Sequence, residues 1–239
     1  MIKINAENMN FKDLNDKVRQ VAGDVEISGV LGERFIGAGL SDKKLVIKGT
    51  PGNALGAYLN GANIEVFGNA QDAVGDTMND GEIIVHGGIG DAAGYAMRGG
   101  KIFVKGNAGY RAGIHMKAYK EKIPALVIGG TAGSFLGEYQ AGGIIIVLGI
   151  DSDKNIVGNF PCTGMHGGKM LLRDTCAEIS FPKNVHVKVA GKEDLTEFYP
   201  YIKEFCKLFG YAENKILNAE FTLITPDSNN PYKQMYVQN

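Results

Sequence analysis

The chain has 239 residues, 44% of them hydrophobic, enough for one large domain or two small ones around a packed core. Its 25 basic and 26 acidic residues leave a formal charge of -1 with no long run of one sign, which argues against nucleic acid or an anionic membrane surface as main partner. An odd set of widely spaced cysteines (Cys162, Cys176, Cys206) points to a reducing compartment, and with no signal core and no membrane-length apolar run the expected location is the cytoplasm.

Residues 1–24 read as an N-terminal cap. Ile2 and Ile4 alternate in a short extended piece. Asn10 is placed to N-cap a helix whose apolar stripe is Phe11, Leu14, Val18 and Val21, at spacings of three and four, and Gly23 can end it.

Residues 25–190 carry a repeat. Gly37, Gly56, Gly75, Gly94 and Gly113 stand 19 residues apart, and the column resumes at Gly137 after a five-residue insertion. A second column runs Gly49, Gly68, Gly87, Gly106, Gly130 and Gly149, so that G-x-x-G-x-x-x-G recurs, with Gln71 once replacing the middle glycine. Fixed self-similarity of this length is the signature of a solenoid. Before each closing glycine lie two alternate apolar residues: Val25/Ile27, Leu45/Ile47, Ile64/Val66, Ile83/Val85, Ile102/Val104, Leu126/Ile128, Ile145/Val147 and Met170/Leu172. Period two puts each pair on one face of a strand. Ile36, Leu55, Val74, Ala93, Ala112 and Leu136 precede the first glycine column. Leu40, Leu59, Met78, Met97 and Met116 follow it by three, with Gln140 the exception. Three apolar positions per repeat are what a coil wound round a core needs. The prediction is an all-β protein, a parallel β-helix of about eight coils, roughly 35–40 Å long at the usual strand spacing. Its glycines serve corners of positive φ or close approach, so Gly94→Val should strain a corner and crowd the next rung. Asn60-Gly61 and Asp80-Gly81 read as turns.

The residue between each inward pair points out. These are Glu26, Val46, Glu65, Ile84, Phe103, Val127, Ile146 and Leu171, six of them apolar. An uncovered ridge of that kind would be a large apolar patch. The N-terminal helix, the C-terminal helix or a partner chain must cover it, which makes Ile84, Phe103, Val127 and Ile146, with His166 nearby in sequence, candidate interface residues.

Two repeats are enlarged, at 115–124 and 151–164. Val185, Val187 and Val189 fit a last strand. Residues 191–239 read as a capping helix and a tail. Leu195, Phe198, Ile202, Phe205 and Leu208 have helical spacing, Pro200 kinks or splits the helix, and 221–239 is an extended arm. The helix would close the open solenoid end.

No catalytic constellation stands out. Cys162 and His166 could form a nucleophile pair or two metal ligands, or belong to a glycine-lined corner; no third group has suitable spacing. His86 closes an ordinary strand. Asp72, Asp76, Asp80 and Asp91 could hold a cation or serve as turn caps. Met78, Met97 and Met116 share a core column, and the glycines lack the helix and acidic residue of a dinucleotide loop.

The repeated G-x-x-G-x-x-x-G, the segments RFIGAGL (34–40) and TGMHGGKMLLR (163–173), the opening INAENMNFKDLN and the late PYKQMYV resemble the GXGXG domain over nearly the whole chain. That domain is the C-terminal part of the glutamate synthase large subunit, a separate subunit in archaeal-type enzymes. It also occurs as one subunit of formylmethanofuran dehydrogenase. The resemblance implies a right-handed parallel β-helix without catalytic or cofactor-binding residues of its own. FMN, iron–sulfur centres and the glutaminase nucleophile belong to partner domains or subunits. The start Met1-Ile2 departs from the N-terminal cysteine of the glutaminase part, and the iron–sulfur cysteine cluster is absent from the sequence.

The leading functional expectation is therefore a scaffold of a glutamate-synthase-like complex, which makes glutamate from 2-oxoglutarate and glutamine or ammonia. This chain would pack against the synthase and glutaminase parts, with self-association a further possibility. The alternatives are the GXGXG-type subunit of a formylmethanofuran dehydrogenase and a stand-alone β-helix enzyme. The 19-residue period departs from the six-residue period of left-handed acyltransferases, and the apolar outward column departs from a polysaccharide lyase.

Overall fold

The computed structural model describes residues 1–150, 152 and 155–227. Strand β1 (Ile2–Asn5) and helix α1 (Phe11–Gln20) lead into one strand per coil. These are β2 (Val25–Leu31), β3 (Lys44–Thr50), β4 (Asn60–Phe67), β5 (Asp80–Val85), β6 (Lys101–Val104), β7 (Ala125–Ile128), β8 (Ala141–Val147) and β9 (Gly167–Leu172). Strand β10 (Val185–Val189), helices α2 (Lys192–Leu195), α3 (Tyr199–Phe209) and α4 (Glu213–Leu217), and strand β11 (Thr222–Pro226) follow. The sheet runs β1 to β9 in chain order, all parallel, then β11 and β10 antiparallel. The fold is the predicted parallel β-helix.

Register shows why the repeat works. Leu45, Ile64, Ile83, Ile102, Leu126, Ile145 and Met170 are successive cross-strand partners in one ladder. All sixteen inward residues are buried in one core, joined by Ile36, Leu55, Val74, Met78, Met97 and Met116. A second ladder of single bridges joins Ala70, Ile89, Ala108, Ala132 and Val157 on another side of the coil. Each rung buries its apolar residues only against its neighbours, so stability comes from stacking.

Helix α1 closes the first coil. Asn10 Oδ1 accepts from the Lys12 and Asp13 amides, each at 3.0 Å, as an N-cap should. Leu14 and Val18 are buried in the solenoid core. Lys43 Nζ donates to the carbonyls of Val18 and Arg19, at 2.7 and 3.1 Å, neutralising the helix's negative end. The helix stops at Gln20, short of Gly23.

The first glycine column forms corners, with φ between +63° at Gly56 and +74° at Gly37. At Gly37, Gly56, Gly75, Gly113 and Gly137 an added Cβ would fall 2.4 to 2.7 Å from an inward Ile or Met side chain of a later coil. Gly94 is different. Its facing residue is Leu126, whose Cδ2 would lie 3.8 Å from an added Cβ, farther than the Ile and Met tips at the other corners. A Cβ alone at Gly94 therefore meets only ordinary contacts, and its φ of +67° is what demands glycine there.

The repeat also hides a feature that composition does not reveal. From Gly56 on, the residues two before and two after each corner glycine are left-handed as well, although they have side chains: Ala54 and Tyr58, Ala73 and Thr77, Arg111 and His115, Phe135 and Tyr139. Each such residue costs about 1–2 kcal/mol. Hydrogen bonds between coils offset it: the amides of Ala54 and Tyr58 reach forward to Asp72 and Asp76 carbonyls at 2.8 and 2.7 Å, while that of Gly56 reaches back to Ile36 at 2.9 Å.

Pro200 splits the predicted helix: it sits in the first turn of α3, where a missing N–H is harmless, and α2 ends before it. The C-terminal region otherwise departs from expectation in two ways. Helix α3 does not cap the open end; it lies on the outer face of the sheet. Part of the predicted arm is β11, inserted between β9 and β10. The open end is closed by β11 and β10, with Cys176, Ile179, Phe181 and Ile224 packed on the core. Residues 231–237, PYKQMYV, lie outside the described residues.

Candidate functional site

Over β6 to β9 the outward ridge is covered by the chain itself. Phe103, Val127, Ile146 and Leu171 form a second core with Phe198, Ile202 and Phe205 of the C-terminal helices. Phe205 packs its ring on Phe209 and Tyr211, with centroids 4.8 and 5.8 Å apart. The partner-interface reading of Phe103, Val127 and Ile146 is thus corrected: the amphipathic C-terminal segment uses that surface. Ile84, one strand earlier, is also buried.

His166 and Cys162 are not assembled as a reactive pair. Cys162 Sγ points into the core, 3.6 Å from Met170 Sδ, whereas half-buried His166 Nδ1 meets the Gly164 carbonyl at 2.9 Å. Burial, then the neighbouring Cys176, pushes the Cys162 thiol up to about 12. Burial pushes Cys176 up to about 11. A thiol held protonated at neutral pH is a poor nucleophile and a poor metal ligand.

The acidic residues cap the next coil. Asp72 Oδ1 accepts from the Asp91 amide at 2.9 Å, and Asp91 Oδ1 from the Tyr110 amide at 2.8 Å. These oxygens stand 2.1 and 2.2 Å from where a Cβ at Gly90 and Gly109 would lie, which explains the middle glycine of those two repeats; at Gly52 and Gly133 the backbone of the preceding coil leaves no room. Asp76 accepts from Thr77 Oγ1, and Asp80 pairs with Lys122 at 2.7 Å, which lowers its carboxyl below the usual range. Among the described residues no group of three or more His, Cys, Asp or Glu is placed to hold a metal ion. His86 stacks on Phe67 at 4.4 Å, meets the edge of Phe209 at 5.3 Å and pairs with Glu65 at 3.1 Å.

A different surface draws together residues that lie far apart in the chain. The glycine-corner side carries aromatic rings on successive coils. His115 stacks on Tyr139 at 5.2 Å and meets Tyr95 edge-on at 5.9 Å. Arg111 lies over Phe135 at 4.8 Å and pairs with Glu138 at 3.0 Å. Tyr58, Tyr95, Tyr110, Tyr139 and Phe160 are exposed. The signal was available: Tyr58, His115 and Tyr139 occupy one column, two residues after the corner glycine. In the same side a groove opens between Tyr58 and Tyr119, with Asn60, Asn79, Arg98 and Lys122 on its walls.

Comparison with known proteins places this architecture. Residues 3–227 match the GXGXG motif family. The chain belongs to the GXGXG family. This GXGXG protein is 44% identical, over 250 aligned residues covering 98% of it and 96% of the relative, to an uncharacterized protein of Methanocaldococcus jannaschii. Its fold matches a chain in the crystal structure of the formyltransferase/hydrolase complex (FhcABCD) from Methylorubrum extorquens with methylofuran, at TM-score 0.64 and 18% identity. That match covers 95% of the GXGXG chain and 91% of the neighbour. No helix among the described residues is long and apolar enough to cross a membrane.

Proposed function

We propose that this GXGXG chain is a non-catalytic scaffold subunit that packs against the catalytic parts of a multi-subunit enzyme. One observation carries the reading: the ionisable side chains that could have formed a site are committed to holding the solenoid. Cys162 is a core residue, Asp72 and Asp91 hydrogen-bond the next coil, and His86 is wedged between two rings. What remains on offer is a long aromatic outer surface, which suits protein contact. Within this reading, a glutamate-synthase-like complex is supported by the RFIGAGL and TGMHGGKMLLR segments and the helix at 11–20. FMN and iron–sulfur centres then lie in the partner subunits. A second reading, the corresponding subunit of a formylmethanofuran-related complex, is supported by the fold neighbour.

Purification of the untagged chain from its native cells tests both. Co-elution with a chain bearing flavin and iron–sulfur absorbance, and with glutamine-dependent glutamate formation, is the expected result. Co-elution with a molybdenum- or tungsten-containing assembly transfers the scaffold role to the second reading. Elution as a free monomer overturns both.

A further inference from the structure

We propose that the groove between Tyr58 and Tyr119 docks an acidic peptide segment of a partner subunit, with Arg98 taking its carboxylate. The inference rests on the scaffold reading and names the chemistry of one contact. The groove measures about 440 Å³, room for several side chains rather than a single ion. Its two flanking rings are 59% and 50% exposed.

The two cations in the groove differ in what they are bound to. Lys122 Nζ is spent on Asp80 Oδ2 at 2.7 Å and on the Asn79 carbonyl at 3.4 Å. The Arg98 guanidinium has no partner among the described residues, so its planar fork of five N–H donors stays open to the groove. A carboxylate fits that fork with two parallel hydrogen bonds. Lys120 lies over the Tyr119 ring at 5.3 Å and adds positive field beside the site. The chain as a whole is charged -1, so this is a local feature and not part of a basic surface.

The walls are built before any ligand arrives. Tyr119 and Lys122 exchange two backbone hydrogen bonds of 3.1 Å, closing the 115–124 loop on itself. The Lys122 stem lies against Gly99, and Lys122–Asp80 ties the loop to an earlier coil. On the opposite wall, Tyr58 is held left-handed by the hydrogen bond its amide donates to the Asp76 carbonyl. A preformed pocket flanked by Tyr and Arg loses little ordering entropy on binding, which is the composition of an interface hot spot. The enlarged repeat thereby gains a purpose: it supplies the second wall.

Fluorescence anisotropy on the full-length chain with labelled hexaglutamate, and hexalysine as control, tests the proposal. Hexaglutamate should bind at low salt and hexalysine should not. Arg98→Gln should weaken binding about tenfold or more, Arg98→Lys less, and Lys105→Gln on the sheet side should leave it unchanged. Melting temperature should not move in any of these exposed-residue variants, which separates lost binding from lost folding. No hexaglutamate binding, binding insensitive to Arg98→Gln, equal loss in Lys105→Gln, or displacement by inorganic phosphate as readily as by free hexaglutamate overturns the proposal. If hexaglutamate fails while the chain still co-elutes with catalytic partners, the groove assignment falls and the scaffold reading stands. If hexaglutamate binds through Arg98 while the chain elutes from cells alone, the scaffold reading falls.

Discussion

One face of one sheet is used in two ways. Over β6 to β9 the residues between the inward pairs are Phe103, Val127, Ile146 and Leu171, sealed beneath Phe198, Ile202 and Phe205. Over β2 to β4 the same column is Glu26, Val46 and Glu65, none of them fully buried. There Lys48 pairs with Glu26 at 3.1 Å and Lys44 with Glu65 at 3.4 Å. The outward column itself runs in unbroken register, Val46 to Glu65 to Ile84 to Phe103, so strand geometry does not decide what fills it. What lies above it does. Where α3 sits, the column is a second core worth several kcal/mol; where water sits, it is a ladder of ion pairs worth about 0–1 kcal/mol each.

That contrast can be broken most sharply by one substitution made twice. Val127→Lys buries an unpaired ammonium under α3 and should cost about 4 kcal/mol or more, or prevent folding. Val46→Lys, at the same column position between Glu26 and Glu65 in register, should stay within about 0.5 kcal/mol of the parent. Urea unfolding measures both; equal losses would mean that the two halves are not distinct. Next in size is Phe205→Ala, which empties the middle of the second core and should cost about 3–4 kcal/mol. Because α2 to α4 touch the solenoid mainly through this cluster, the helical circular-dichroism signal should then be lost at lower urea than the strand signal. A single coincident transition would show that helices and coils unfold as one unit.

The inward half of this architecture was legible in the residues and the outward half only partly so. Sixteen alternating apolar residues and a strict period state directly which side faces in, since burial on that side is the same at every rung. The apolar outward ridge was also visible, and its need for a cover followed from its size. The cover was not, because Leu195, Phe198, Ile202 and Phe205 specify an amphipathic helix but not which surface receives it. Strand β11 was hidden for a similar reason: an antiparallel partner for β9 carries no trace of the 19-residue period. The left-handed Ala54, Tyr58, Arg111 and His115 contradict local preference, and only the stacked coils on either side hold them so. The aromatic surface is written in that same column, so it depends on the same stacked coils. The groove depends on Arg98 and Tyr119 belonging to different coils, and spacing alone does not bring them together.

The seam between the two halves offers a small and diagnostic gain. Glu82 of β5 faces Glu204 of α3, Lys101 of β6 and Glu65 of β4. Its carboxyl is raised above the ordinary value, first by burial, then by Glu204; Lys101, which pairs with Glu204 at 2.6 Å, pulls the other way. A raised carboxyl means that the folded chain holds its proton more tightly than the unfolded chain does. Stability from this group is present below the ordinary carboxylate range and is lost as pH climbs through the raised value, so at neutral pH Glu82 opposes the docking of α3. Glu82→Gln keeps the size and a hydrogen-bond donor for Glu204 while removing the charge. It should raise the melting temperature at pH 7 by no more than about 2–4 °C, the equivalent of 1 kcal/mol in a domain this size. The gain should vanish below about pH 4, where the parent Glu82 is itself protonated. A gain of the same size at both pH values would mean that packing, not charge, is responsible. A loss at pH 7 would mean that the Lys101 attraction outweighs Glu204 and that the seam is held by Glu82 rather than strained by it.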